Sequence, residues 1–335
     1  IRTEDAVGHI LCHDITQIIK DEKKGVLFKK GHVVKEEDIP LLLSVGKEHL
    51  FVWEKKPGIL HENEAAEILY KICAGNSSKV HGTEIKEAKI DGILKIRRDA
   101  LVAVNSLGEM MIASRHGDFP VKKGDKVAGT RIIPLVIEKE KMDAAEKAAG
   151  NLPIFDILPY QQKKVGIVTT GSEIKKGLIQ DTFTPVLREK LSGFPTEVTG
   201  QVMPGDDKEE ITKAILSFAD AGADLIICTG GMSVDPDDRT PGGIRDTGAK
   251  IVTYGAPVLP GAMLLVAYLE RNGRSIPVLG LPGCVMYAKR TVFDLILPRV
   301  MADDEIKAEE IAALGEGGLC LNCPVCTFPN CGFGK

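Results

Sequence analysis

Ala223-Asp-Leu-Ile-Ile-Cys228, running into Thr229-Gly-Gly-Met-Ser-Val-Asp-Pro-Asp-Asp238, decides how this chain is read. The first half is a short, nearly continuous apolar run. That pattern predicts a strand buried on both faces of a parallel sheet. Two consecutive glycines, Gly230 and Gly231, stand at its carboxyl end. Glycine lets a backbone turn sharply and approach a ligand closely, and open α/β sheets bind ligands at the carboxyl ends of their strands. Asp235, Asp237 and Asp238 follow. A loop that is rich in glycine and then in acid can offer N–H groups to an anion and carboxylates to a metal.

Three more stretches have the same grammar. Val165-Gly-Ile-Val-Thr-Thr170 runs into Gly171-Ser172-Glu173, and Thr196-Glu-Val-Thr-Gly-Gln-Val-Met203 into Pro204-Gly205-Asp206. Pro277-Val-Leu-Gly-Leu281 runs into Pro282-Gly283-Cys284, and an amphipathic helix through Ala288, Val292, Leu295 and Ile296 is expected after it. Strands that end in glycine turns with helices between them predict an α/β, doubly wound, mostly parallel sheet with one functional edge. Glycines at strand ends are also ordinary turn chemistry, so the argument rests on four of them together.

Thr170-Gly-Ser-Glu173, Thr229-Gly-Gly-Met-Ser-Val234 with Asp238, and Gly280-Leu-Pro-Gly283 resemble, in order and spacing, the molybdopterin-binding domain. That domain is shared by molybdopterin molybdotransferases (MoeA type), molybdopterin adenylyltransferases (MogA type) and competence-damage-type proteins. The resemblance implies binding of molybdopterin, or its adenylated form, in molybdenum cofactor biosynthesis. It places the ligand on Thr170, Gly171, Ser172, Thr229, Gly230, Gly231, Ser233, Arg239, Pro282 and Gly283. Glu173, Asp206 and Asp238 become the catalytic acids, holding Mg²⁺ against the anion so that adenylyl hydrolysis can accompany molybdate insertion. Homologues of this domain self-associate, which implies a dimer or trimer. The other expectations are a carrier or sensor that holds cofactor without turnover, and a nucleotide pyrophosphatase of the competence-damage type.

The chain departs from the family's pattern at several points. Cys284 and Val285 stand where Asn-Pro is usual, and Leu259-Pro-Gly-Ala-Met263 lacks the flanking lysines of molybdotransferases. Between Ile15 and Phe28 there is no insert carrying a catalytic aspartate. Arg239-Thr240-Pro241, in contrast, is similar to the adenylyltransferase branch.

The 335 residues exceed the usual size of one core, so several domains are expected. The reading divides them into a molybdotransferase-like segment 1–56, a small β-rich region 57–150 with a linker helix, the binding domain 151–305 and a cysteine-rich tail 306–335. A net charge of −4 with 44% hydrophobic residues describes a globular protein. No basic cluster is interleaved with aromatics, so no nucleic-acid partner is expected. No run approaches the roughly eighteen apolar residues of a membrane span, and a cytoplasmic chain without a membrane partner is expected.

Local readings complete the picture. His9, Cys12 and His13 are close in sequence, but alternation along a strand separates Cys12 from the histidines, which favours structural roles. Lys47 to Trp53 reads as a strand and His61 to Cys73 as an amphipathic helix. Gly92–Ile96, Leu101–Val104, Met110–Ala113 and Lys126–Ile133 read as short strands, and Lys139–Ala149 as a helix. Asp206 with Glu209 fits a capping box, a structural reading beside the functional one. In the tail, Cys320, Cys323, Cys326 and Cys331 fall in the spacing C-x₂-C-x₂-C-x₄-C. Such density suggests thiolates on a metal, either an iron–sulfur cluster or Zn²⁺; the bland alternative is a disordered tail with free thiols.

Overall fold

Alternate residues of the strand Leu225–Thr229 point to opposite sides of a sheet, and both sides are covered. Leu225 and Ile227 join one hydrophobic cluster, while Ile226 and Cys228 join another. The computed structural model describes residues 1–19, 23–51, 57–74, 83–178, 180–233 and 235–335. It groups them into two compact units.

The larger unit comprises Ile85–Arg97, Ala113–Gly129 and Phe155–Lys335. Its central sheet has six strands: β1 (Lys163–Thr169), β2 (Thr196–Val202), β3 (Leu225–Thr229), β4 (Lys250–Tyr254), β5 (Leu265–Arg271) and β6 (Arg274–Leu281). The spatial order is β2-β1-β3-β6-β5-β4. The pairs β1–β2, β1–β3 and β3–β6 are parallel, whereas β5 pairs antiparallel with both β6 and β4. The expected doubly wound, mostly parallel sheet is therefore present. Its antiparallel edge, β4 and β5, was not read from the sequence.

Helices α1 (Phe183–Leu191), α2 (Lys208–Asp220), α3 (Thr240–Asp246) and α4 (Val292–Met301) cover the two faces. Phe183, Leu187 and Leu191 of α1 pack with Phe293 and Ile296 of α4 over one side. Ile211 and Ile215 of α2 pack with Ile244 of α3 over the other. Each fully buried leucine or isoleucine contributes roughly 1.5–3 kcal/mol, so this double layer fixes the strand ends that carry the glycine turns. Helix α4 begins at Val292, later than expected, because Gly283–Met286 forms a separate 3₁₀ turn. Thr291 and Asp294 then cap α4 reciprocally.

The tail belongs to this unit and is folded. Leu259 N–H donates to the Gly318 carbonyl and Cys320 N–H to the Leu259 carbonyl, each at 2.8 Å. Phe333 is 4% exposed in the main core. The disordered alternative therefore does not hold. A smaller sheet, in the order Phe155–Pro159, Gly92–Ile96, Phe119–Val121, completes the unit. Lys95 on its central strand bonds Asp118 at 2.6 Å and Asp304 at 3.0 Å.

The smaller unit comprises Ile1–Glu84, Arg98–Ile112 and Thr130–Ile154, so segment 57–150 contributes to both units. Ala6, Leu11, Ile15, Val34, Leu42 and Leu50 form a small N-terminal core. The helices expected at His61–Cys73 and Lys139–Ala149 appear as Glu62–Ala74 and Lys139–Ala149. Two expectations fail. Leu101–Val104 lies inside the helix Arg98–Asn105, where Ala100 and Val104, four apart, are the buried pair. Around Lys47 only an isolated bridge, Arg2 with His49, replaces the strand, and the expected end of that strand, 52–53, lies outside the described residues. Cys12 and Cys73 are buried here and Cys228 in the other unit, as core residues.

Candidate functional site at the glycine turns

Parallel pairing aligns Thr169 of β1 with Thr229 of β3, and Thr229 with Leu281 of β6. The three family-like turns therefore leave the sheet side by side. Thr170 N–H donates to the Thr229 carbonyl at 2.7 Å, which locks the first turn to the second. The Thr170 and Thr240 hydroxyls lie 3.0 Å apart, and Thr240 also donates to the Gly230 carbonyl at 2.8 Å. Thr170 and Thr240 are 1% and 0% exposed, so these two hydroxyls build the loop from beneath.

The glycines are required by the same packing. Gly230 has φ +82°, and a Cβ there would lie 2.4 Å from the Thr170 carbonyl oxygen. Gly231 has φ +51°, and its Cβ would meet the Thr240 and Thr170 hydroxyls at 3.0 and 3.1 Å. The close approach inferred from the sequence is thus made by the protein's own first turn. The Thr229–Leu281 pairing turns the Gly230 N–H to the Leu281 carbonyl; among the described residues, no recorded hydrogen bond is donated by the N–H of Gly171, Gly231, Met232 or Ser233. Three of these donors, Gly231 to Ser233, are consecutive, and unpaired consecutive N–H groups form an anion-binding concavity.

The three acids have different fates. Asp206 Oδ2 accepts the Ser172 N–H at 2.6 Å, so it sits on a donor of the first turn. The cap of α2 is Asp207, which accepts the Glu210 N–H at 2.9 Å; the expected box of Asp206 with Glu209 is absent because the helix starts one residue later. Asp238 Oδ2 accepts the Asp235 N–H at 3.2 Å and thereby closes its own turn. Glu173 has no recorded partner and is exposed. Among the described residues, no three His, Cys, Asp or Glu side chains gather as a group that could hold a metal ion. Arg239 bonds the Pro236 carbonyl at 2.7 Å through Nε. Pro282 is the extended cap of the 3₁₀ turn that begins at Gly283.

Two contributors were not singled out in the sequence. Asp181 caps α1 through the N–H groups of Phe183 and Thr184, at 2.9 and 3.1 Å, and accepts from Gln201 at 2.6 Å. Burial pushes its carboxyl up, but the bonds from Thr184, Gln201 and Phe183 outweigh this and hold it below the usual carboxylate range. An Asp two residues before an apolar helix was the available signal. Tyr254, on the edge strand β4, donates to the carbonyl of Met232 at 3.0 Å and braces the glycine loop from the far side. Burial first, and the nearby Asp238 charge second, push its phenol up.

A family described as "Probable molybdopterin binding domain" matches residues 166–302, the stretch that carries all of these turns. Residues 166–302 are a molybdopterin-binding domain of the molybdenum cofactor biosynthesis family. A domain of unknown function matches residues 1–54. A molybdopterin molybdenumtransferase of Haemophilus influenzae is 28% identical over 54% of this chain and 43% of its own length. A molybdopterin adenylyltransferase of Pyrococcus furiosus is 27% identical over 38% of this chain and 80% of its own. A CinA-like protein of Mycolicibacterium gilvum is 36% identical over 23% of this chain and 18% of its own. The chain thus spans less than half of the first of these relatives. Among solved structures, the molybdopterin biosynthesis enzyme MoaB of a Thermus species is 27% identical over 41% of this chain and 91% of its own, with a TM-score of 0.34. No helix among the described residues is long and apolar enough to cross a membrane.

Beyond the molybdopterin-binding domain, the tail cysteines line a cavity of about 470 Å³ together with Arg290 and Phe328. The N–H of Phe328 and then the cations Arg290 and Lys289 hold the Cys326 thiol below its ordinary range. Cys284, at the third glycine turn, is half-buried, and burial pushes its thiol up.

Proposed function

We propose that the glycine edge binds molybdopterin, or its adenylated form, in molybdenum cofactor biosynthesis, with the anionic end on the Gly230–Ser233 loop. The observation that carries this reading is the run of unpartnered N–H groups within the matched domain. Gly171 would add a further N–H, and Pro282 and Gly283 would flank the pterin. Thr170 and Thr229 act from beneath, by holding the loop. Arg239 supplies the positive charge that the Leu259–Met263 stretch lacks.

Mg²⁺ fits this edge as a bridge to the ligand, since Mg²⁺ is commonly held by one or two carboxylates, phosphate oxygens and water. Glu173, the acid without a recorded partner, would be its main protein ligand. Asp206 and Asp238 would join only on leaving their N–H partners. When bound, Mg²⁺ supplies charge neutralisation at the phosphate. The residues themselves bind and orient the anion. Molybdate as co-substrate, a transferase reaction and self-association as a dimer or trimer are parts of the same proposal. The four tail cysteines are proposed as a separate metal site and enter no step of it.

The test is a titration of the full chain with molybdopterin, with and without Mg²⁺, for the native protein and Glu173→Gln. The substitution should remove most of the Mg²⁺-dependent gain in affinity and leave Mg²⁺-free binding unchanged. A gain that survives it returns Glu173 to the solvated surface. The CinA-like relatives favour one second reading, a nucleotide pyrophosphatase. Release of nucleotide monophosphate from a dinucleotide by a chain with no pterin affinity would select it.

A further inference from the structure

Each N–H of the Gly231–Ser233 run shares a rigid, planar peptide with the carbonyl of the residue before it, and in a trans peptide the two point in opposite directions. Whatever holds that carbonyl therefore aims the donor. The Gly230 carbonyl accepts the Thr240 hydroxyl at 2.8 Å, which turns the Gly231 N–H away from Thr240. The Gly231 carbonyl accepts the Thr240 N–H at 3.2 Å and so fixes the Met232 N–H. The Met232 carbonyl accepts the Tyr254 hydroxyl at 3.0 Å, and the Ser233 carbonyl lies 3.3 Å from the same oxygen. Tyr254 thus does for the Ser233 N–H what Thr240 does for the other two. A loop with its carbonyls tied back and its amides bare suits a ligand that accepts several hydrogen bonds at once, as a phosphate does.

The two anchors come from different places in the chain. Thr240 opens α3, shortly after the loop, whereas Tyr254 ends β4 at the antiparallel edge of the sheet. The backbone around Tyr254 is fixed: Tyr254 pairs with the fully buried Leu265, and the Gly255 N–H donates to the Leu264 carbonyl at 2.7 Å. The phenol is therefore delivered to the loop by a strand. Met232 is itself anchored from below, being 4% exposed and packed so closely on β6 that a Cβ on Gly280 would lie 2.7 Å from its sulfur. Ser233 has no such anchor, because its side chain is exposed. Among the described residues, the recorded hydrogen bond that sets the Met232–Ser233 peptide is the one from Tyr254.

We propose that Tyr254 is a positioning residue for anion binding: it holds the Met232 carbonyl so that the Ser233 N–H completes a three-donor cradle for the phosphate of a phosphate ester. The proposal rests on the anion-binding reading of the glycine edge given above. The test is amide magnetic resonance on the full, isotope-labelled chain, titrated with inorganic pyrophosphate and separately with molybdopterin. In the native protein the amide signals of Gly231, Met232 and Ser233 should all move. Tyr254→Phe removes one oxygen from a side chain that is 42% exposed. In that variant the Ser233 response should fall away, while Gly231 and Met232, aimed by Thr240, keep theirs. Affinity for pyrophosphate should drop roughly threefold to tenfold, the worth of one ordinary hydrogen bond. Relaxation of the ligand-free proteins gives a second readout: the Ser233 amide should be as rigid as the neighbouring strand in the native protein and mobile in the variant. Circular dichroism shows whether the variant is folded. If it is not, the native relaxation decides, and a mobile Ser233 amide there overturns the proposal. An unchanged Ser233 response in folded Tyr254→Phe overturns the role of Tyr254 and leaves the anion reading standing. No response at Gly231 to Ser233 to either probe in the native protein overturns both.

Discussion

Replacing Gly230 with alanine tests whether the first glycine serves the protein or the ligand. The residue sits at φ +82°, where an L-residue costs roughly 1–2 kcal/mol. Its new methyl would stand 2.4 Å from the Thr170 carbonyl oxygen and 2.8 Å from the Thr170 hydroxyl. That carbonyl is backbone and cannot rotate away, so the two turns must part, at an overpacking cost of about 1–3 kcal/mol. Gly222→Ala is the control. Its φ is +90°, but nothing lies within 4 Å of its Cβ, so only the backbone cost applies. The expected difference between the two variants is therefore the steric part, about 1–3 kcal/mol. In a unit of this size it should appear as an extra fall in melting temperature of several degrees. Gly231→Ala should fall between them, because φ +51° is nearer the left-handed basin and its neighbours include two hydroxyl oxygens that can turn. The assay is calorimetric unfolding of the full chain, resolving the transition of the larger unit, since a chain of two units need not melt in one step. A Gly230→Ala protein no less stable than Gly222→Ala would refute the packing argument and restore the ligand as the reason for the glycine.

Asp207→Ala should cost about 1 kcal/mol by uncapping α2 and leave pterin affinity unchanged, read by melting temperature and titration together. Asp181 gives a pH test. Its folded-state pKa is depressed, so its contribution is present above the unfolded value and is lost as pH falls through the carboxylate range. Asp181→Asn should therefore flatten the native protein's loss of stability between roughly pH 5 and pH 3. An unchanged slope would show that other carboxylates govern that range.

The sequence was legible where burial writes a pattern into the order of residues, and less so where a residue's use depends on its partner. Three of the four strands that end in glycine turns were readable because burial on both faces writes itself as a continuous apolar run; Thr196–Val202, an edge strand with no buried residue, was readable from its Pro204-Gly205 turn. The antiparallel edge was missed although part of its signal is local: Arg271 pairs with Arg274 across the two-residue turn Asn272-Gly273, a hairpin signature, while Lys250–Tyr254 pairs with Leu265–Arg271 across a longer connection. Leu101–Val104 looked like a strand because short apolar runs fit either period; Ala100 and Val104, buried four residues apart, decide for helix. The turn residues at the candidate site were visible as types, but their employment was not. Nothing in the order of residues shows that Thr170 and Thr240 spend their hydroxyls on each other, or that Asp206 reaches back to Ser172.

That last contact bears on how any anion is held at this edge. Ser172 N–H points at a carboxylate already in place, while the three donors from Gly231 to Ser233 have no recorded acceptor among the described residues. On the proposed reading, an incoming phosphate would find its donors in the second turn and a negative charge, Asp206, in the first. At 4 Å two unit charges repel by about 1 kcal/mol in water and by about 4 kcal/mol at the lower dielectric of a protein surface. That is enough to cancel several hydrogen bonds of ordinary net strength. The edge as built thus receives the anion on one side only, unless a cation lies between the phosphate and the acids. On the proposed reading Glu173, one residue beyond Ser172 and without a recorded partner, would recruit that cation. A dependence of affinity on Mg²⁺ would then follow from the same charge arrangement that places Asp206. If affinity were independent of Mg²⁺ in both the native protein and Glu173→Gln, Asp206 would be only the brace of the first turn.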